Sequence, residues 1–278
     1  MHADTDLAHA DTLPADTPMA APLPPRTRFT ATTRGGTVTL QLDGVAAAHA
    51  AEAALLLDRC DALLDALDAW LHVALDWRWA IAEPATVSSC VLAHTKTAGD
   101  DAGSLPCRLE LPWPLLRALA APPPALANGL HWGAVPAVLV VSRPSIDEAE
   151  LRLLERGGAV LLPESMRAPW QARLRAADEI GGDGLAVELS GLDSPRLVKA
   201  SAPPVVAADQ RPWCEVRMTT AGPMTPAQLA GWADGAPLEL APRASLWRCA
   251  GPTEPERYLA GGRLLPWGDG WAMLIESI

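Results

Sequence analysis

Two stretches decide how this chain is read: "VPAVLVVSRPSIDEAELRLLERGGAVLL" (135–162) and "WCEVRMTTAGPMTPAQLAGWADGAPLEL" (213–240). Laid over each other without a gap, they place Val138 on Val216, Ala149 on Ala227, Leu151 on Leu229, Gly157 on Gly235 and Leu162 on Leu240. The order of these identities carries more weight than their number, because each pair has one structural job. An alternating apolar strand (Val138, Val140; Val216, Met218) leads into a short helix. Ser145, with Glu148 three residues on, reads as the first N-cap and capping box. Thr225 reads as the second N-cap, with Pro226 at the N1 position where a missing N–H costs nothing. Leu151 or Leu229 then faces inward, and Gly157 or Gly235 ends the helix as a left-handed cap. A strand closing on Leu162 or Leu240 follows.

A second echo lies farther on. "GDGLAVEL" (182–189) and "GDGWAMLI" (268–275) each set an Asp-Gly step before an apolar run. Asp-Gly tolerates the two positive φ angles of a type I′ hairpin turn, so Gly182, Asp183, Gly184 and Gly268, Asp269, Gly270 read as equivalent turns. The spacing grows from 78 to 86 residues, so the second copy carries extra chain, "PTEPERYLAGGRLLPW", and the first is the shorter. Two β-rich units result, 130–192 and 211–278, joined by a Pro/Ala-rich linker at 193–210. Each is about 65 residues, marginal for an independent core, so each is expected to gain stability by packing on the other.

Upstream, residues 1–27 hold few large apolar side chains and read as a flexible tail. "FTATTRGGTVTLQL" (29–42) reads as a hairpin about Gly35-Gly36. The stretch 46–75 reads as one amphipathic helix, with Leu56, Leu57, Leu63, Leu64, Leu67 and Leu71 opposite Asp58, Asp61, Asp65 and Asp68. Strand-like runs at 86–95 and 105–112 and a helix at 113–120 complete an α+β domain over 28–125. The fold class is therefore α+β, an N-terminal α+β domain followed by two small β-rich units.

Composition narrows function. The net charge is −11, which argues against a nucleic-acid surface. The acidic N-terminus has no basic n-region or apolar core of a secretory signal, and the longest uncharged stretch, 118–142, is broken by Pro122–Pro124 and Asn128. Five dispersed cysteines without a CxxC fit a reduced, cytoplasmic protein. Cys90 and His94, four apart in a strand-like run, are too distant for easy chelation, and His72 reads as a helix-surface or packed histidine rather than a ligand. No nucleophile elbow, zinc-helix or phosphate-loop pattern occurs, so no catalytic, cofactor or metal residue is assigned.

"PMTPAQLAGWADGAPLEL" and the terminal "GGRLLPWGDGWAMLIESI" resemble the SpoA domain of flagellar switch proteins and of the SctQ/HrcQ cytoplasmic component of type III secretion systems. Two tandem SpoA-like units behind a larger domain, with "CRLELPWPLLRAL" (107–119) just before them, resemble SctQ most closely. The Gly-Asp pairs typical of that family stand here as Gly157-Gly158 and Gly235-Ala236. The resemblance implies a non-enzymatic part of the cytoplasmic ring or sorting platform, peripheral to the inner-membrane base of the secretion apparatus and without membrane insertion. It implies SpoA units paired as an intertwined β-barrel-like assembly. The implied partners are an SctL-type ATPase stator, an SctK-type adaptor, export-gate cytoplasmic domains, chaperone-effector complexes, and either a second copy or a C-terminal fragment of this chain, for which Met166 is the candidate start. The pairing core is expected at Val216, Met218, Leu229, Trp232, Leu240, Leu265, Trp267, Trp271, Met273 and Ile275, with Leu151, Leu162, Val187 and Leu189 from the first unit. Trp232 and Trp271 read as core, and Trp267, at a hairpin edge, equally as a partner anchor. A flagellar switch protein is a second reading, although no signalling-type middle domain is evident. A small cytoplasmic enzyme is a third.

Overall fold

A computed structural model describes residues 25–81, 90–96, 105–179, 184–189, 192, 195, 196, 198, 199, 213–233, 235–249 and 255–278. In chain order the elements are β1 (Arg26–Thr33), β2 (Gly36–Asp43), α1 (Ala50–Asp58), α2 (Asp61–Leu71), β3 (Arg78–Trp79), β4 (Cys90–Lys96), β5 (Pro106–Pro112), α3 (Trp113–Ala118), α4 (Pro124–Ala127) and β6 (His131–Trp132). There follow β7 (Ala137–Ser142), α5 (Glu148–Leu151), β8 (Ala159–Leu162), β9 (Trp170–Ala176), β10 (Leu185–Leu189), β11 (Val198–Lys199), β12 (Trp213–Thr220), α6 (Pro226–Leu229), β13 (Leu240–Cys249), β14 (Arg257–Trp267) and β15 (Gly270–Ser277). The fold is mixed α+β, built on two antiparallel sheets.

The first sheet has the order β3-β1-β2-β5-β4-β6. Its hairpin turns where the Gly35-Gly36 step predicts, with Thr33 opposite Gly36. Val38, Leu40 and Leu42 are fully buried in β2, between β1 and β5, and share one core with Leu63, Leu67, Trp70 and Leu71 of α2. The single helix expected over 46–75 is two helices. Cys60 leaves helical geometry (φ −99°, ψ 0°), and its thiol donates to the Leu56 carbonyl, which ends one helix and starts the next. The sheet also runs past residue 125, because His131 and Trp132 pair with His94 and Ala93. Of the expected tail, 1–24 lies outside the described residues, and Arg26 and Thr27 already belong to β1.

The two repeats do not form two sheets. They share one of nine strands, ordered β11-β10-β9-β7-β12-β13-β14-β15-β8. The central pair is antiparallel, with Met218 opposite Leu139 and Thr219 opposite Val138. Counting outward, β9 holds the place of β13: Val138 pairs with Arg175 as its equivalent Val216 pairs with Leu246. β8 of the first repeat crosses over to pair with β15 of the second, Leu162 against Trp271 and Val160 against Met273. In the stretch read as linker, Arg196 forms an isolated bridge with Pro237 of the second repeat, and the Pro195 carbonyl accepts from the Leu238 amide at 2.9 Å. The first repeat thus lends β8 to the second, and the second touches the chain that follows the first at Pro237 and Leu238.

Three local expectations change. Both helices carry a complete capping box, but in the first repeat the cap is Asp147 with Glu150, not Ser145 with Glu148. Asp147 is the residue the gapless alignment sets on Thr225, and its carboxylate reaches the Glu150 amide at 2.8 Å. The closing turn pairs Trp267 with Gly270, so Gly268 and Asp269 are its centre. Only Gly268 has positive φ (59°), which is the type II′ pattern with glycine first rather than type I′. Finally, the two Gly-Asp-Gly turns are not equivalent. The earlier one links β9 to β10, the places of β13 and β14, whereas the later one links β14 to β15. Gly182 and Asp183 lie outside the described residues; Gly184 has φ 67°. In the place of β15 the first repeat is followed by β11, which lies beyond residue 192 in the stretch read as linker.

Candidate interaction site

Three features of the shared sheet bring chemistry together. At the seam, alternation along β12 sends Val216 and Met218 to one side and Glu215 and Arg217 to the other, yet all four are buried. Glu215 is met by Arg143, just after β7, at 2.9 Å and by Arg175 of β9 at 3.0 Å, both from the first repeat. Arg217 joins it at 2.6 Å and also holds Glu256 at 2.5 Å, while Trp213 donates its indole N–H to Glu215 at 3.1 Å. Burial pushes the Glu215 carboxyl up, but Arg175, Arg217 and Arg143 outweigh it and bring it down to about 2. Burial alone would lower Arg217, but its hydrogen bond to Glu256 and the charge of Glu215 raise it. Cys249 lies 3.1 Å from an Arg217 nitrogen, and burial, followed by the charge of Glu215, pushes its thiol up to about 12. Glu215, Cys249 and Glu256 are close enough to suggest a cation site. The guanidinium groups already stand where a cation would, and the thiol keeps its proton.

The second feature fastens the N-terminal domain to the second repeat. Trp232 follows α6 and donates its indole N–H to the Leu119 carbonyl at 2.9 Å. Its ring meets Trp70 of α2 edge-on at 6.0 Å and Trp132 of β6 at 6.2 Å. Arg117 of α3 reaches the Leu229 carbonyl through Nε and grips Glu179, past β9, with both terminal nitrogens at 2.6 Å.

The third is an outward face of mixed character, where exposed apolar side chains stand beside Arg263, which pairs with Glu276 at 3.2 Å. Residues directly opposite across a ladder share a face, so Leu161, Ala272 and Leu265 form one row. Ala159, Leu274 and Arg263 form a second row on that face, and Trp267 continues it beyond Leu265. Trp267 is 54 % exposed and Leu161 47 %, and β8 ends the sheet.

The residues expected to form a pairing core divide accordingly. Val216 and Met218 lie on the β7–β12 seam, and Leu162, Trp271, Met273 and Ile275 on the β8–β15 seam, where Trp271 stacks on Trp170 at 6.3 Å. Leu229 is fully buried beside Arg117, and Trp232 belongs to the domain junction rather than to the seam. Leu240 pairs with Thr220 inside the second repeat. Val187 and Leu189 are buried in the β9–β10 ladder, away from both seams. Leu151 is half-buried; Leu265 and Trp267 face outward. Gly157 and Gly235 are left-handed, φ 88° and 75°, but they cap no helix: α5 ends at Leu151 with Arg152 as its C-cap, and α6 at Leu229 with Ala230, followed by left-handed Gly231 (φ 77°). Gly270 is buried against Ser165 and Met166, and Asp269 is exposed. His72 caps α2 in the left-handed region, exposed, as a surface histidine.

Sequence reasoning missed the ion cluster, Arg117 with Glu179, and the Trp70 and Trp132 partners of Trp232. The signal was present in "WCEVRM" and "QARLRA", where opposite charges alternate with apolar residues in two strands. Such alternation ordinarily marks a solvent face. No helix among the described residues is long and apolar enough to cross a membrane. No family model, no characterised protein and no solved structure matches this chain.

Proposed function

We propose that this chain is a non-enzymatic assembly component of the SctQ/HrcQ type, a piece of the cytoplasmic platform that joins a type III export machine to its ATPase stator. One observation carries the reading. Two sequence repeats share one sheet, and the first lends β8 to the edge of the second, an interlocking consistent with the intertwined pairing that the SpoA-like motifs imply. The fastened N-terminal domain supports it, since a rigid connection lets a docking domain and a paired unit act as one spacer. The polar groups that converge at the seam are paired with one another instead of opening to a substrate. The outward face of Trp267, Leu265 and Leu161 takes the stator, through apolar burial and pairing along the free edge of β8.

The test is co-purification of the tagged full chain with candidate SctL-type stator and SctK-type adaptor proteins. Trp267→Asp with Leu161→Asp should leave the fold intact and abolish stator capture while adaptor capture persists. A chain that captures neither partner, or a double variant that binds the stator as the parent does, would refute the assignment.

A further inference from the structure

Two sulfurs meet in the N-terminal core. Cys107 sits in β5, paired with Leu42 of β2 on one side and Thr95 of β4 on the other. Alternation turns it to the side of buried Leu109 and Leu111, toward the core. Cys60 stands at the break between α1 and α2, and its side chain is buried in the same core. Each thiol is held by a carbonyl of its own segment, Cys60 by Leu56 at 3.5 Å and Cys107 by Leu105 at 3.3 Å. The two side chains also hydrogen-bond to each other, and that contact, helped by Arg59, lowers the Cys60 thiol against burial and Asp61.

Two other buried cysteines are placed otherwise. Cys249 is opposite Trp213 and Cys214 opposite Arg248, so on neighbouring strands they point to opposite faces of the sheet. Burial pushes both thiols up, Cys249 to about 12. Cys60 also differs in access. Arg59 and Asp61 beside it are exposed, and no side chain caps the start of α2, so a brief local opening brings a small oxidant to its sulfur. Cys107 is fixed between two paired strands and waits behind it.

We propose that Cys60 and Cys107 are a peroxide-responsive thiol pair that closes to a reversible disulfide. The Cys60 thiolate attacks one oxygen of hydrogen peroxide and the O–O bond breaks. The departing hydroxide takes the proton the thiol gave up, forming water. Cys107, giving up its own proton, then displaces hydroxide from the Cys60 sulfenic acid, forming the S–S bond and a second water. Two thiols are oxidised and one peroxide is reduced to two waters; a small thiol reverses the bond by exchange. The bond pins the head of α2 to β5, and α2 carries Trp70, which meets Trp232 of the second repeat. The inference rests on the N-terminal core alone and stands apart from the secretion reading.

The test is hydrogen peroxide added to the folded full chain, followed by blocking of free thiols and peptide mass mapping without reductant. One linked peptide pair, Cys60 to Cys107, is expected, lighter than the two free peptides by two hydrogens and separated again by dithiothreitol. Cys107→Ala removes the second sulfur, so dimedone should trap the sulfenic acid at Cys60. The inference is overturned if the pair stays reduced while the chain is folded, if Cys60 gains two or three oxygens without a cross-link, or if the link joins other cysteines. A Cys107→Ala chain that melts as the parent does and takes no dimedone at Cys60 counts equally against it.

Discussion

Both terminal nitrogens of Arg117 lie 2.6 Å from the carboxylate oxygens of Glu179, one residue from the N-terminal domain and the other from the first repeat. Both side chains are close to fully buried. A planar guanidinium set against a carboxylate in this bidentate way fixes angle as well as distance, so the pair sets how the two halves of the molecule meet.

Arg117→Ala leaves the Glu179 carboxylate buried without its partner, and should cost about 3 to 5 kcal/mol. Arg117→Lys keeps charge but loses the fork, and should cost less than half of that. Urea midpoints of the three proteins check the order.

Trp232→Ala removes two edge-on ring contacts and a hydrogen bond to Leu119. The side chain is only half-buried, so the loss should be about 2 to 3 kcal/mol, below that of a fully buried tryptophan. Trp232→Phe keeps a ring and loses the N–H, and should cost about 1 kcal/mol. Increased amide exchange in α6 and at Leu119, with β14–β15 unchanged, would locate the effect at the junction.

Ile275 exchanges backbone hydrogen bonds with Gly157 and Gly158 while its side chain is buried. Ile275→Asp should therefore free the β8 segment, and Ile275→Val should cost about 1 kcal/mol and leave it in place. Limited proteolysis between α5 and β8 reads the difference. Equal protection of this segment in Ile275→Asp and the parent would contradict the β8 exchange.

A methyl group on Gly262 would overlap the Leu274 carbonyl, at the point where the β14–β15 register shifts. Gly262→Ala should cost about 1 to 3 kcal/mol, whereas Gly222→Ala, in open space, should be near neutral.

Stability should also depend on acid. Glu215 titrates from an ordinary 4.5 down to about 2 in the folded chain. Between those values the unfolded chain binds a proton that the folded chain does not, so stability rises with pH across the window. The contribution is complete above about pH 5 and disappears toward pH 2, amounting to about 3 kcal/mol. Glu256 is lowered too, burial opposing and Arg217 prevailing, and adds with the same sign. Unfolding free energies between pH 3 and 6 should slope upward in the parent and flatten in Glu215→Gln.

The sequence by itself determined the repeat, its strands and its short helices. These follow from local rules: alternation, and the Thr225 cap with Pro226 behind it, whereas Gly157 and Gly235 are left-handed in the turns beyond the helices rather than at their ends. The alignment even contained the Asp147 cap, opposite Thr225, although Ser145 drew the local reading. Tertiary structure decided which repeat lends its strand to which, because β8 pairs with β15 more than a hundred residues away and no local pattern encodes that choice. It also decided the fate of Glu215, Arg175 and Arg217. Alternation along a strand says that such side chains share a face; only the surrounding chain decides whether water or opposite charge meets them there.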